Sequence, residues 1–190
     1  YGWNEPSLSK HPRSWHRNCL YSSESSLEER EEIALHFDSR QFRNTVGNFA
    51  TGVTVVTVET NGETHGMTAN SFTSVSLDPP LVLICVDHRA NSLQYIKQTG
   101  YFGVNILGKE HENISRLFAN QKLEEEPVVS FRKSKAGTPL LEGALATMDC
   151  KVWQTVEAGD HTIFIGEVLE IDSREGEPLL FFRGKYTELK

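Results

Sequence analysis

Between Thr64 and Pro80 the sequence reads THGMTANSFTSVSLDPP, with hydroxyl side chains at Thr64, Thr68, Ser71, Thr73, Ser74 and Ser76. A strongly apolar run, LVLICVD, follows at once. A low-complexity linker is not flanked in this way. Small hydroxyls beside a core strand can donate to a phosphate or to the polar edge of a ring system, although a solvent-facing strand edge can have the same composition. Three more stretches share this character: ATGVTVVT (50–57), HRANS (88–92) and AGDHTIFIGEV (158–168). Each is small, polar or Gly-containing and lies at or beside an expected strand end. Taken singly, each has a plain structural reading. Asn91 and Ser92 cap a helix before anything else. His161, after Gly159-Asp160, sits next to a turn, where a histidine is more often structural than catalytic. Cys85 reads as a buried small hydrophobe with nothing nearby to lower its thiol pKa, which disfavours Cys-His nucleophilic catalysis.

The composition narrows the classes. A chain of 190 residues with 38% hydrophobic and 24% charged residues suits one soluble domain with a real core. A net charge of −7 without a basic stripe argues against nucleic acid as a partner. A local phosphate site remains open, because backbone N–H groups and hydroxyls bind phosphate without net positive charge. Cys19, Cys85 and Cys150 are far apart with no CxxC, so neither a disulfide framework nor a metal site is expected. No apolar run approaches the roughly 18 residues of a membrane helix, and no signal peptide is visible. The expected setting is cytoplasmic, with no membrane partner. The chain begins at Tyr1 rather than Met.

The elements that must position these stretches are mostly strands. Residues 1–37 form an N-terminal arm, expected to be partly disordered, with His11 and His16 solvated; in it Ser26 and Glu29 make a capping box for the helix EEREEIALHF. Residues 38–190 form the main domain. Asp38 or Ser39 caps a helix over SRQFRNTVGNFA, with Phe42, Val46, Phe49 and Ala50 on one face and Gly52 at its end. GVTVVTVE is a β-branched strand, Asn61-Gly62 a two-residue hairpin turn, and THGMTAN, FTSVSL and LVLICVD are the next strands. SLQYIKQT is a helix stopped by Gly100, YFGVNIL a strand, and HENISRLFAN an amphipathic helix. Residues 120–138 read as a long exposed excursion carrying a basic cluster, Arg132, Lys133 and Lys135. ALATMDCKVWQTVEAG, DHTIFIGEVLEI and PLLFFRGKY are the final strands, the first two joined by a turn over Glu157 to Asp160. Hairpin-linked strands with few helices predict a mainly β fold, an antiparallel β-barrel with short helices. No GxGxxG follows a strand, which disfavours a Rossmann unit.

Taken together, the four stretches resemble one family. F-R-x-x-x-x-x-F-A-T-G-V-T-V-V-T at Phe42 to Thr57 and G-M-T-A-N-S-F-T-S-V-S-L-D-P-P-L-V at Gly66 to Val82 look like the short-chain flavin reductases. Further matches are F-x-V-N-I-L at Phe102 to Leu107, L-F-A at Leu117 to Ala119, G-D-H-T-I-F-I-G-E-V at Gly159 to Val168 and P-L-L-F-F-R-G-K-Y at Pro178 to Tyr186. These proteins are the NAD(P)H:flavin oxidoreductase components of two-component flavin-dependent monooxygenases. The resemblance implies an FMN-binding split barrel, a homodimer, FMN or FAD as flavin, NADH or NADPH as co-substrate, and a separate monooxygenase component. It places backbone contacts to the isoalloxazine at Gly52, Val53, Thr54, Val55 and Val56. Thr68, Ala69, Asn70 and Ser71 fall at the ring and ribityl chain, and Ser74, Val75, Ser76 and Ser92 at the chain and phosphate. His161 falls on the nicotinamide side, where it would help hold the reduced nicotinamide over the flavin. The residues before Ser92 match no family pattern one by one, which leaves FMN against FAD open. Two other readings stay in play: a flavin-binding electron carrier without a nicotinamide site, and a split-barrel oxidase of a pyridoxine phosphate, for which Arg89 is the only nearby candidate.

Overall fold

The computed structural model of the protein describes residues 37–189. The chain divides after Asp38, and Ser39–Lys190 forms a compact unit. In order it contains α1 (Ser39–Val46), β1 (Thr51–Gly52), β2 (Thr54–Thr60), β3 (Glu63–Ala69), β4 (Phe72–Leu77), β5 (Pro80–Asp87), α2 (Asn91–Thr99), β6 (Tyr101–Ile106), α3 (Glu112–Phe118), β7 (Phe131–Lys133), β8 (Pro139–Leu141), β9 (Ala146–Ala158), β10 (His161–Ser173), β11 (Leu180–Phe182) and β12 (Lys185–Thr187). Seven strands make one antiparallel sheet in the order β3-β2-β6-β9-β10-β5-β4; β1-β11-β12 and β7-β8 make two smaller ones. The capping box at Ser26 and the His11/His16 pair lie outside the described residues.

The patterning explains the layers. β2 is buried along almost its whole length because both faces are covered. Val56 and Val58 join Ile84, Val86, Phe102 and Phe164 in the main core under α2, whereas Val53 and Val55 join Leu107, Leu141 and Leu179 in a second core. A strand covered on both faces reads as a continuous β-branched run rather than an alternation. β5 does alternate: Val82, Ile84 and Val86 point inward, and Leu83, Cys85 and Asp87 lie on the half-exposed face. Cys85 is therefore not fully buried as expected; partial burial still pushes its thiol pKa up. Cys150, in the core, is pushed up to about 12. The Asn61-Gly62 turn takes φ of 54° and 81°, the left-handed pair that a two-residue hairpin requires.

Several elements differ from expectation. α1 stops at Val46 rather than Ala50, because Gly47, Asn48 and Phe49 close a tighter turn on Arg43, Thr45 and Val46. Its apolar positions Phe42, Val46 and Phe49 are exposed, and the helix buries no residue. Gly52 does not cap that helix but belongs to β1. The expected strand from Gly52 to Glu59 is broken at Val53, with β1 pairing to β11 and β2 to β3 and β6. PLLFFRGKY is two strands, since Arg183 and Gly184 turn the chain with φ of 48° and 77°. Residues 120–138 are not wholly exposed. Arg132 reaches Glu170 and Thr147, Lys133 pairs with Glu59, and Ser134 and Thr138 are buried. α2 is capped by Ala90 without a side-chain bond, so Asn91 and Ser92 lie inside its first turn; Gly100 closes it as expected, donating to Ile96 O.

A buried polar network fixes β7-β8 against the barrel. Asn105 donates to Val55 O (2.8 Å) and Thr57 Oγ1 (3.1 Å) and accepts from Leu141 N–H (2.7 Å), while Thr57 donates to Pro139 O (2.5 Å). Satisfied networks of this kind specify one arrangement of the elements they join.

Candidate functional site

Two cavities meet at the break between β1 and β2. One, of about 340 Å³, is lined by Phe49 to Thr54 together with Asn70, Phe72 and Ile106. The other, of about 200 Å³, is lined by Val53, Thr68, Ala69 and Asn70 on one side and by Ala119, Gln121, Phe181 and Tyr186 on the other. Val53 and Asn70 belong to both. The register produces this meeting: Thr54 pairs with Ala69 across β2-β3, and Thr51 with Phe181 across β1-β11.

Some hydroxyls are already engaged. Thr54 Oγ1 donates to Ala69 O (2.8 Å) and Thr68 Oγ1 to Ser115 O (2.5 Å), so they lock β3 to β2 and α3. Tyr186 Oη lies 2.8 Å from Ser115 Oγ, its ring packs edge-on against Phe181 with centroids 5.5 Å apart, and Arg116 lies over its face. The aromatic wall is thus held from behind. Two polar groups of the lining matter here. Thr51 Oγ1, closed off from solvent, has no hydrogen-bond partner among the described residues. Asn70 is exposed between the cavities, and its carboxamide can donate and accept at once. Apolar walls with a few convergent polar groups are the usual makeup of a small-molecule site, and this set fits the polar edge of a flavin ring.

The expected residues are not all gathered here. Gly52, Val53, Thr54, Thr68, Ala69 and Asn70 line the cavities. Val55 and Val56 are fully buried, their side chains in the two cores and their backbones laddered to β3 and β6. Ser71 spans β4 and β5, donating from Oγ to Cys85 O (3.0 Å). Ser74, Val75 and Ser76 lie on the edge strand β4, where the register shifts between Ser74 and Ser76. Ser92 is buried in the first turn of α2.

His161 opens β10 opposite Asp87 of β5. Asp87, Cys85 and Ser71 share one face of the sheet, so His161 lies on the same face as Ser71. It is two strands across and two residues along, roughly 12 Å away at ordinary sheet spacings. His161 Nδ1 is 2.7 Å from Asp160 Oδ1, and with Nδ1 donating there, Nε2 is the nitrogen left for a ligand. Hydrogen bonds from the Arg89 side chain and backbone hold the Asp87 carboxyl well below the usual carboxylate range. Hydrogen bonds from Lys97, Thr162 and His88 lower Glu157 likewise. His161 thus stands at a charged corner and not in either cavity.

Sequence reading missed Thr51, Phe49, Phe72, Phe181 and Tyr186. Phe181 and Tyr186 stood in the quoted final strand, but only the Thr51–Phe181 register, across 130 residues, brings them to the cavity.

The comparisons with known proteins agree with this geometry. The family described as flavin reductase like domain matches residues 46–190. The NADH-dependent flavin reductase of a Rhodococcus species is 43% identical over 78% of this chain and 85% of its own. The reductase subunit HsaB of a flavin-dependent monooxygenase from Mycobacterium tuberculosis is 35% identical over 83% of this chain and 86% of its own. The solved structure of flavin reductase PheA2 superposes with a TM-score of 0.78 at 50% identity, covering 81% of this chain and 99% of that one. With an antiparallel barrel, the Thr51–Val53–Asn70 cavities and these relatives in agreement, the chain belongs to the flavin reductase-like family.

Proposed function

We propose that the protein is the reductase half of a two-component system, taking a hydride from NADH onto FMN or FAD and passing the reduced flavin to a separate monooxygenase. The observation that carries this is the pair of cavities sharing Val53 and Asn70, with a buried hydroxyl at Thr51 that is unpartnered among the described residues and aromatic walls behind. The names of the Rhodococcus and Mycobacterium relatives support NADH and a monooxygenase partner. Flavin and nicotinamide, when bound, supply the redox chemistry between them. The chain's own residues bind, orient and exclude water. Asn70 and Thr51 meet the flavin's polar edge, and His161 Nε2 holds the nicotinamide.

The working form in this proposal is a homodimer. The outer face of β5, β10 and β9 carries contiguous apolar side chains, Leu83, Cys85, Ile163, Ile165 and Val156, in matching cross-strand rows. A second copy on this face would shield them and cover the gap between His161 and the cavities. The cytoplasm, where NADH and free flavin occur, is the setting assigned. No helix of the described residues is long and apolar enough to cross a membrane.

The test is NADH oxidation by the purified protein with and without FMN, FAD and riboflavin, and with NADPH in place of NADH. Turnover that rises with added flavin is expected. Tight flavin binding without NADH oxidation would leave an electron carrier instead.

A further inference from the structure

A cleft of about 630 Å³ opens where α1 faces the β11-β12 turn, lined by Arg40, Arg43, Asn44, Asn48, Arg183 and Gly184. Among the described residues three guanidinium groups and two carboxamides line it and no carboxylate does, in a chain whose net charge is −7. Among the described residues none of these arginines enters a salt bridge. Arg183 is held in place. Its Nε and Nη2 donate to Asn48 Oδ1 at 2.8 and 2.6 Å, its guanidinium lies 5.1 Å from the Phe182 ring centroid, and its backbone N–H donates to Gly47 O. Asn48 is itself fixed, its amide donating to Asn44 O and Thr45 O. A surface arginine serving only solubility needs no such support.

The cleft adjoins the first cavity. Phe181 pairs with Thr51, and Arg183 opens the turn two residues later, so it lies within about 7 Å along the chain. On the other side Asn48 lines the cleft and Phe49 the cavity. Guanidinium groups match phosphate oxygens bidentately, and several in one cleft favour an extended phosphate over a single carboxylate. We infer that the cleft receives a nucleoside diphosphate, the ADP portion that FAD and NADH both carry and FMN lacks. This rests on the reductase reading above, and it makes the cleft the anchor for a dinucleotide tail.

Calorimetric titration with ADP at low salt tests it. The wild-type protein is expected to bind ADP, and Arg40→Gln combined with Arg183→Asn to weaken that binding about tenfold or more. Asn suits position 183 because it tolerates the left-handed backbone there. Lys151→Gln, an exposed charge outside the cleft, should leave ADP affinity unchanged. Should the double variant fail to fold, Arg40→Gln alone, on an exposed helix, should still weaken ADP by about threefold. Kinetics then identify the source. A KM raised for FAD with that for FMN unchanged assigns the tail to the flavin, and a KM raised for NADH with either flavin assigns it to the nicotinamide. ADP binding no tighter than adenosine, or equal in wild type and variant, overturns the inference. Failure of the reductase reading looks different, with ADP bound and no NADH oxidised with any flavin.

Discussion

Replacing Thr51 by Val separates a structural from a ligand-binding hydroxyl. Val has nearly the shape of Thr and suits β1. Thr51 Oγ1 is buried and has no partner among the described residues. Leaving a buried hydroxyl unsatisfied costs about 1 kcal/mol or more, so its removal should stabilise the flavin-free protein by about that amount. For a chain of this length that raises the melting temperature by roughly 2–4 °C. If the same hydroxyl meets the flavin, Thr51→Val also deletes one hydrogen bond to the ligand. A net loss of about 1 kcal/mol is about fivefold in affinity. Thermal melting without flavin and quenching of flavin fluorescence on titration measure the two effects on one preparation. Opposite signs are expected, a more stable protein that binds flavin more weakly. A lower melting temperature would mean the hydroxyl has a structural partner, and an unchanged flavin affinity would remove Thr51 from the site.

Three further outcomes are expected. His161→Ala should raise the KM for NADH several-fold while flavin affinity stays the same; unchanged steady-state kinetics would take His161 out of the nicotinamide site. Gly103→Ala should destabilise by about 1–3 kcal/mol in urea, because the added Cβ would overlap Thr57 Oγ1 and sit 2.9 Å from Pro139 O, inside the buried network. The Asp87 carboxyl has its pKa lowered by Arg89, so its share of stability is full above its ordinary pKa of 3.8 and falls away as pH drops below that. Arg89→Gln should therefore reduce stability at neutral pH slightly and make it less dependent on pH on the acid side; an unchanged acid limb would show that the pair is screened out.

Local chemistry was legible and long-range register was not. The Asn61-Gly62 turn, the Gly100 helix stop and the alternation of β5 each depend on a few adjacent residues, and the sequence carries them openly. The break at Val53 is invisible in GVTVVTVE, because every residue there suits a strand and only the competing partners β11 and β6 divide it. The turn in PLLFFRGKY was readable from Arg183-Gly184, yet the apolar run before it masked it. The exposed face of α1 misled for another reason. Helical spacing of Phe42, Val46 and Phe49 says that an apolar stripe exists, and does not say whether this chain or another covers it. Of the cavity lining, the motif contained Gly52 to Thr54 and Thr68 to Asn70, while the aromatic wall awaited the pairing of residue 51 with residue 181.

That pairing sets an order of events during synthesis. The ladder between β1 and β11 closes a loop of 130 residues, and the wall at Phe181 and Tyr186 follows every strand of the seven-stranded sheet in the chain. Contacts this distant form only after the nearer hairpins have shortened the path between their ends. The barrel from β2 to β10 can assemble while the C-terminal segment is still being made, but the cavity cannot. Until β11 and β12 are made, the barrel lacks the aromatic wall of its cavity, so the cavity is completed only after the strands that support it.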